Sequence, residues 1–134
     1  MAIQFNASAR NAILQAIETE VKGSAVLEFR TGSVPASAGT ADSGTLLATV
    51  QLPADYLGTP VSGTSDKSGT WSSTVSAAGT PGYFRVKNSA AAITYIQGTI
   101  TSTGGAGDLN FDSVDWVTAQ TVTISTWTFV AGNA

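Results

Sequence analysis

Near the start of the chain, apolar residues recur at spacings of three and four: Ala9, Ile13, Ala16, Ile17 and Val21, with Arg10, Asn11, Gln15, Glu18 and Lys22 between them. That period predicts one amphipathic helix over residues 9–22. Ser8 is suited to cap its N-terminus, because a hydroxyl accepts from a free first-turn N–H, and Gly23 to take the left-handed turn that ends it. So short a helix is marginal alone. Its stripe of Ile13, Ile17 and Val21 must therefore dock on the chain's own sheet or on another subunit.

Beyond Gly23 the period changes to two. Leu27 and Phe29 alternate with Glu28 and Arg30, which predicts a strand with one wet face. The pattern returns over 45–52, with Leu46, Ala48, Val50 and Leu52 on one face, and over 70–76, with Trp71, Ser73 and Val75. It returns again over 83–88, where Phe84 and Val86 oppose Tyr83, Arg85 and Lys87. The longest strands are expected at 93–101 and 121–130, with shorter ones at 109–111 and 114–117. Residues 31–44, 53–69, 77–81 and 102–107, rich in Gly, Pro, Ser, Thr and Ala, read as loops. The predicted fold is mainly β: a single domain over 1–134, with an antiparallel β-sandwich, jelly-roll-like, over about 25–131 and one N-terminal α-helix.

Composition narrows the chemistry. The 134 residues include 20 Ala, 19 Thr, 15 Ser and 14 Gly, but only 11% are charged, and the net charge is -3. The low charge fits neither a basic nucleic-acid binder nor a highly charged disordered tail. With no His and no Cys, the chain has no thiolate nucleophile, no imidazole acid–base group and no Cys/His zinc site. We therefore expect no enzyme and no cofactor. The opening residues lack a basic stretch leading into an apolar core, and no window suits a membrane span. The expected product is a protein made in the cytoplasm that does not engage membranes.

Three constellations remain, each with two readings. Asp108, Asp112 and Asp115 stand beside Gly104, Gly105 and Gly107; they are either calcium ligands or Asx-turn residues bonding their own backbone. Trp71, Tyr83, Tyr95, Trp116 and Trp127 are either a stacking platform for sugars or the large side chains a β core requires. The glycine-rich stretches 63–69 and 103–107 lack the strand-to-helix setting and lysine of a phosphate loop, so they read as loop tips.

The residues also carry a resemblance. The opening Ile3-Gln4-Phe5-Asn6-Ala7-Ser8-Ala9-Arg10-Asn11 is followed by Leu27-Glu28-Phe29-Arg30-Thr31-Gly32, by Val34-Pro35-Ala36 and by Leu46-Leu47-Ala48-Thr49. With Gly98-Thr99-Ile100-Thr101, Ala119-Gln120-Thr121-Val122-Thr123-Ile124 and the closing Phe129-Val130-Ala131-Gly132-Asn133-Ala134, it resembles small structural proteins of tailed-bacteriophage virions. Where Ala119-Gln120 stands, an added glycine is expected in such proteins, and Trp116 replaces a smaller residue. The resemblance implies a capsid decoration or cement protein. It would bind the major capsid protein on the virion surface, without nucleic acid or membrane; the uncharged strand expected over 121–130 and the apolar helix stripe add the expectation of a homo-oligomer. The alternatives are a tail or head-to-tail connector component, or a virion carbohydrate-binding module. It supplies no catalytic motif. The contact residues expected for the subunit or shell are Ile13, Ile17, Val21, Tyr56 and Trp116.

Overall fold

The computed structural model describes residues 3–132. It is mainly β with one helix. In chain order the elements are α1 (Ala7–Val21), β1 (Val26–Thr31), β2 (Leu46–Gln51), β3 (Thr64–Asp66), β4 (Trp71–Thr74), β5 (Pro81–Lys87), β6 (Thr94–Ser102), β7 (Leu109–Phe111), β8 (Thr121–Ile124) and β9 (Thr128–Val130).

Helix α1 starts two residues earlier than its apolar period suggests. The Asn6 side chain, not that of Ser8, caps it by accepting from the Ala9 N–H at 2.9 Å. At the other end Lys22, not Gly23, takes the positive φ of 67°. Gly23 has a different use: a Cβ there would stand 3.2 Å from the Ala54 carbonyl oxygen. The buried stripe is also rotated from expectation. Leu14 and Val21 are buried and Ile17 half-buried, whereas Ile13 is 45% exposed. Polar side chains complete the docking of the inner face. Arg10 Nε donates to the Ala131 carbonyl at 2.6 Å, Asn11 Oδ1 accepts from the Gly63 N–H at 2.7 Å, and Glu18 Oε1 accepts from the N–H groups of Tyr56 and Leu57 at 3.0 and 3.2 Å.

Five strands form one sheet in the order β2-β1-β5-β6-β7. The first four pair antiparallel, but β7 runs parallel to β6, so the sheet is mixed and the expected purely antiparallel arrangement does not hold. A parallel neighbour usually needs a connection of a dozen residues or more. Here the chain returns through the glycine-rich turn after Ser102, and partners lie nine residues apart: Ile100 opposite Leu109, Thr101 opposite Asn110, Ser102 opposite Phe111. Side chains repeat that offset as a column of staples. Thr99 donates from both N–H and Oγ1 to Asp108 Oδ2, Thr101 Oγ1 to Asn110 Oδ1, and Thr103 Oγ1 to Asp112 Oδ1.

The remaining strands make a bent ribbon. Thr64 pairs with Val130 and Asp66 with Thr128; farther on, Trp71 pairs with Ile124 and Thr74 with Thr121. Between the two stretches residues 67–70 face the shorter run 125–127, bridged by the Lys67 N–H on the Trp127 carbonyl at 2.8 Å. That mismatch breaks the strand expected over 121–130 into β8 and β9. The segment 53–69 similarly contains β3. The strand expected at 114–117 is reduced to one bridge, Trp116 with Gly79. The ribbon hangs on the sheet through β4, where Ser73 Oγ donates to the Thr49 carbonyl and the Ser76 N–H to the Leu47 carbonyl.

One hydrophobic cluster joins all these parts. Phe29 lies edge-on to Phe111 and Trp116, with centroids 5.7 and 5.4 Å away, and Trp127 meets Trp71, Phe84 and Phe129 at 4.9–5.4 Å. Gly98, opposite Phe84 across β5 and β6, leaves room for that ring: a Cβ there would sit 2.6 Å from it. Leu27, Val50, Val86, Ile100 and Ile124 are buried as their alternation predicts, while Leu46, Ile96 and Phe129 are only half-buried. An irregularity in the pairing of β1 with β2 sends Leu47 inward instead of Leu46.

Candidate functional site

Three of the five expected contact residues, Val21, Tyr56 and Trp116, lie in the core. Tyr56 is 1% exposed and Trp116 2% exposed. Both flank turns in sequence, but Tyr56 packs against Trp71 and Trp116 against Phe29 and Phe111. Val21 is buried against the chain's own core and Ile17 packs on its margin, so of the helix stripe only Ile13 presents a substantial apolar surface. Ile3, Phe5, Val61 and Val130 are exposed as well.

The polar face of the sheet is not wet. Residues 32–45 fold back over it and are held there by the side chains whose alternation had marked them as solvent-facing. Arg85 Nη1 donates to the Thr40 carbonyl and to Asp42 Oδ1, both at 2.8 Å; its Nη2 donates to the Ser37 carbonyl and to Gln97 Oε1. Lys87 Nζ lies 2.9 Å from Glu28 Oε2 and also bonds Asp42, and Arg30 bridges both carboxylates at 3.1 and 3.2 Å. Tyr83 Oη donates to the Ser43 carbonyl and accepts from its N–H. Burial pushes the Asp42 carboxyl up, but the Lys87 hydrogen bond and the charges of Arg30 and Lys87 outweigh it and hold it below its ordinary value. Every charge in the cluster faces an opposite one. It is a clamp for the loop.

Asp108, Asp112 and Asp115 do not converge. Asp108 and Asp112 face Thr99 and Thr103, and among the described residues no group of three or more His, Cys, Asp or Glu side chains could hold a metal ion. Thr99's two donated hydrogen bonds lower the Asp108 pKa. The five aromatics expected as a sugar platform divide likewise: Trp71, Tyr83 and Trp116 are buried, while Tyr95 and Trp127 are half-buried.

A concavity lies where the two ends of the curled β structure approach. β7 ends the five-stranded sheet, and β8 has β4 on one side only. Between them is an open groove of about 730 Å³. Its lining is mixed: Phe84, Leu109, Phe111, Ile124, Trp127 and Phe129 contribute apolar side chains, Asn110, Thr123, Ser125, Thr126 and Thr128 polar ones, and Asp108 and Asp112 the charge, with no basic side chain among the lining residues. Its aromatic strands were legible in the sequence, but the juxtaposition was not. The one signal for it was the matching alternation of Thr99, Thr101 and Thr103 with Asp108, Asn110 and Asp112, which brings β7 beside β6. Comparison of the chain with protein-family models, curated proteins and solved structures finds no match.

Proposed function

We propose that the protein is a structural component of a tailed-bacteriophage virion, a decoration protein that binds the assembled head and holds neighbouring capsid subunits together. The observation that carries this reading is how the chain spends its charge and its strand edges. Three of its six basic side chains, Arg30, Arg85 and Lys87, are locked into the loop clamp. What faces outward is largely Thr, Ser, Gly and Ala, with isolated apolar side chains such as Ile13, Val61 and Val130, and strands such as β7 and β8 that have a ladder neighbour on one side only. Such a surface binds by shape, backbone and apolar contact rather than by long-range charge. The sheet and the ribbon, facing each other across the aromatic core, are read as an open sandwich. A rigid body of that kind suits a bridge between shell subunits, and binding only the assembled state stabilises the shell by mass action. The resemblance of the opening and closing segments to virion proteins points the same way, and the lack of His and Cys accords with a role without catalysis.

Co-sedimentation tests the reading. The purified protein is mixed with emptied heads, and separately with unassembled capsid subunits, from about 0.05 to about 0.5 M salt, a range over which surface charge becomes screened. The expected result is saturable binding to heads alone, changing little with salt. Binding that collapses with salt, or that is equal for unassembled subunits, contradicts it.

A further inference from the structure

Resting on that reading, we propose that the groove between β7 and β8 is an acceptor site for one extended strand of the shell partner, a segment with alternating apolar residues and a Lys or Arg at its end. β7 and β8 each have a ladder neighbour on one side only, and both line the same groove. A strand edge with a neighbour on one side only leaves backbone N–H and C=O groups to water, and an added strand can take them up. The lining supplies specificity. Leu109, Phe111 and Trp127 would receive every second side chain of an inserted strand, while the intervening side chains point outward. Along β8, with four residues, an added strand would pair over roughly 13 Å at about 3.3 Å per residue.

Charge selects among extended segments. The lining holds Asp108 and Asp112 and no Lys or Arg, so a basic terminal residue is favoured and an acidic one repelled. The same residues argue against a sugar as occupant. Asp108 already accepts two hydrogen bonds from Thr99, Asp112 accepts one from Thr103, and Asn110 accepts one from Thr101. The hydrogen-bonding side chains a sugar would need thus already have partners within the fold.

The test uses the full chain and a capped peptide, Lys-Val-Thr-Val-Thr-Val-Lys, followed by amide chemical shifts and calorimetry. Saturable binding is expected, with shifts concentrated at 109–112 and 121–124. Replacing both lysines by glutamate should weaken binding about tenfold, and proline at the central position should abolish it by removing a ladder donor. In Asp112→Lys, a surface change whose folding is checked by circular dichroism, the preference should move toward the glutamate peptide. No saturable binding, equal binding of the proline peptide, or displacement by a neutral oligosaccharide would overturn the site. The two proposals are distinguishable: heads bound without peptide binding remove this site and leave the decoration role, and peptide bound without head binding leaves a strand-accepting groove but removes the shell as its partner.

Discussion

Asp42 shows how a single residue decides whether a loop is part of the fold. Its carboxylate meets Arg30, Arg85 and Lys87 at the sheet's outer face. Removing its charge leaves Arg85 and Lys87 buried with less compensation, so Asp42→Asn should lower stability near neutral pH by roughly 2 kcal/mol, below the range for a fully buried pair because Asp42 itself is partly exposed. The pH dependence has a defined sign. Asp42's folded pKa is lowered from 3.8, so the unfolded chain binds the proton first. Its contribution is complete above that ordinary value and is lost as pH falls through the folded one. Denaturant titrations of both proteins should therefore converge in acid; a constant difference down to pH 2 would contradict the clamp. Tyr56 makes the opposite case. Its Oη is buried without a hydrogen-bond partner among the described residues, and burial together with Glu18 pushes its pKa well up. Tyr56→Phe should thus be neutral or stabilising, within about 1 kcal/mol. A loss of 2 kcal/mol or more would reveal a bond to that hydroxyl.

Among the elements, the helix is the one whose attachment depends on a few side chains. Glu18 satisfies two backbone N–H groups in the segment after β2, so Glu18→Ala should cost about 1–3 kcal/mol, and Glu18→Gln, which keeps an acceptor oxygen, should recover most of it. Hydrogen exchange across Ala7–Val21 checks this: faster exchange in Glu18→Ala alone is expected, and equal protection in all three proteins would count against docking through Glu18. Element existence was readable from period. Leu27 and Phe29, Phe84 and Val86, and Val122 and Ile124 alternate and are buried, because one face of each strand must leave water. What the period misplaced has a common cause. Glu28, Arg85 and Lys87 look solvent-facing by alternation and are buried, since no local pattern reveals that a loop fourteen residues away in places will cover them with compensating charge. Likewise 121–130 reads as one strand, and only the unequal partner segment 67–70 breaks it. The groove inherits that limit, because it exists only once the ribbon bends and β7 returns beside β6.

For the whole molecule, these features add up to a mainly β body with sparse charge and strands that have a neighbour on one side only. No helix among the described residues is long and apolar enough to cross a membrane. The loop clamp fixes the sheet's outer face, the docked helix covers the Tyr56 region, and the groove is left as the place where another chain can continue the β structure. On the proposed reading the protein is repeated at equivalent positions where shell subunits meet. Electron microscopy of virions carrying the chain, compared with virions in which its gene is deleted, measures this most directly. The expected result is density for this fold at symmetry-related sites on the outer surface of the head, absent from the deletion, with the deleted heads losing their genome at lower temperature. Density only at the tail or the connector, or virions that contain none of the chain, would contradict the head-decoration role.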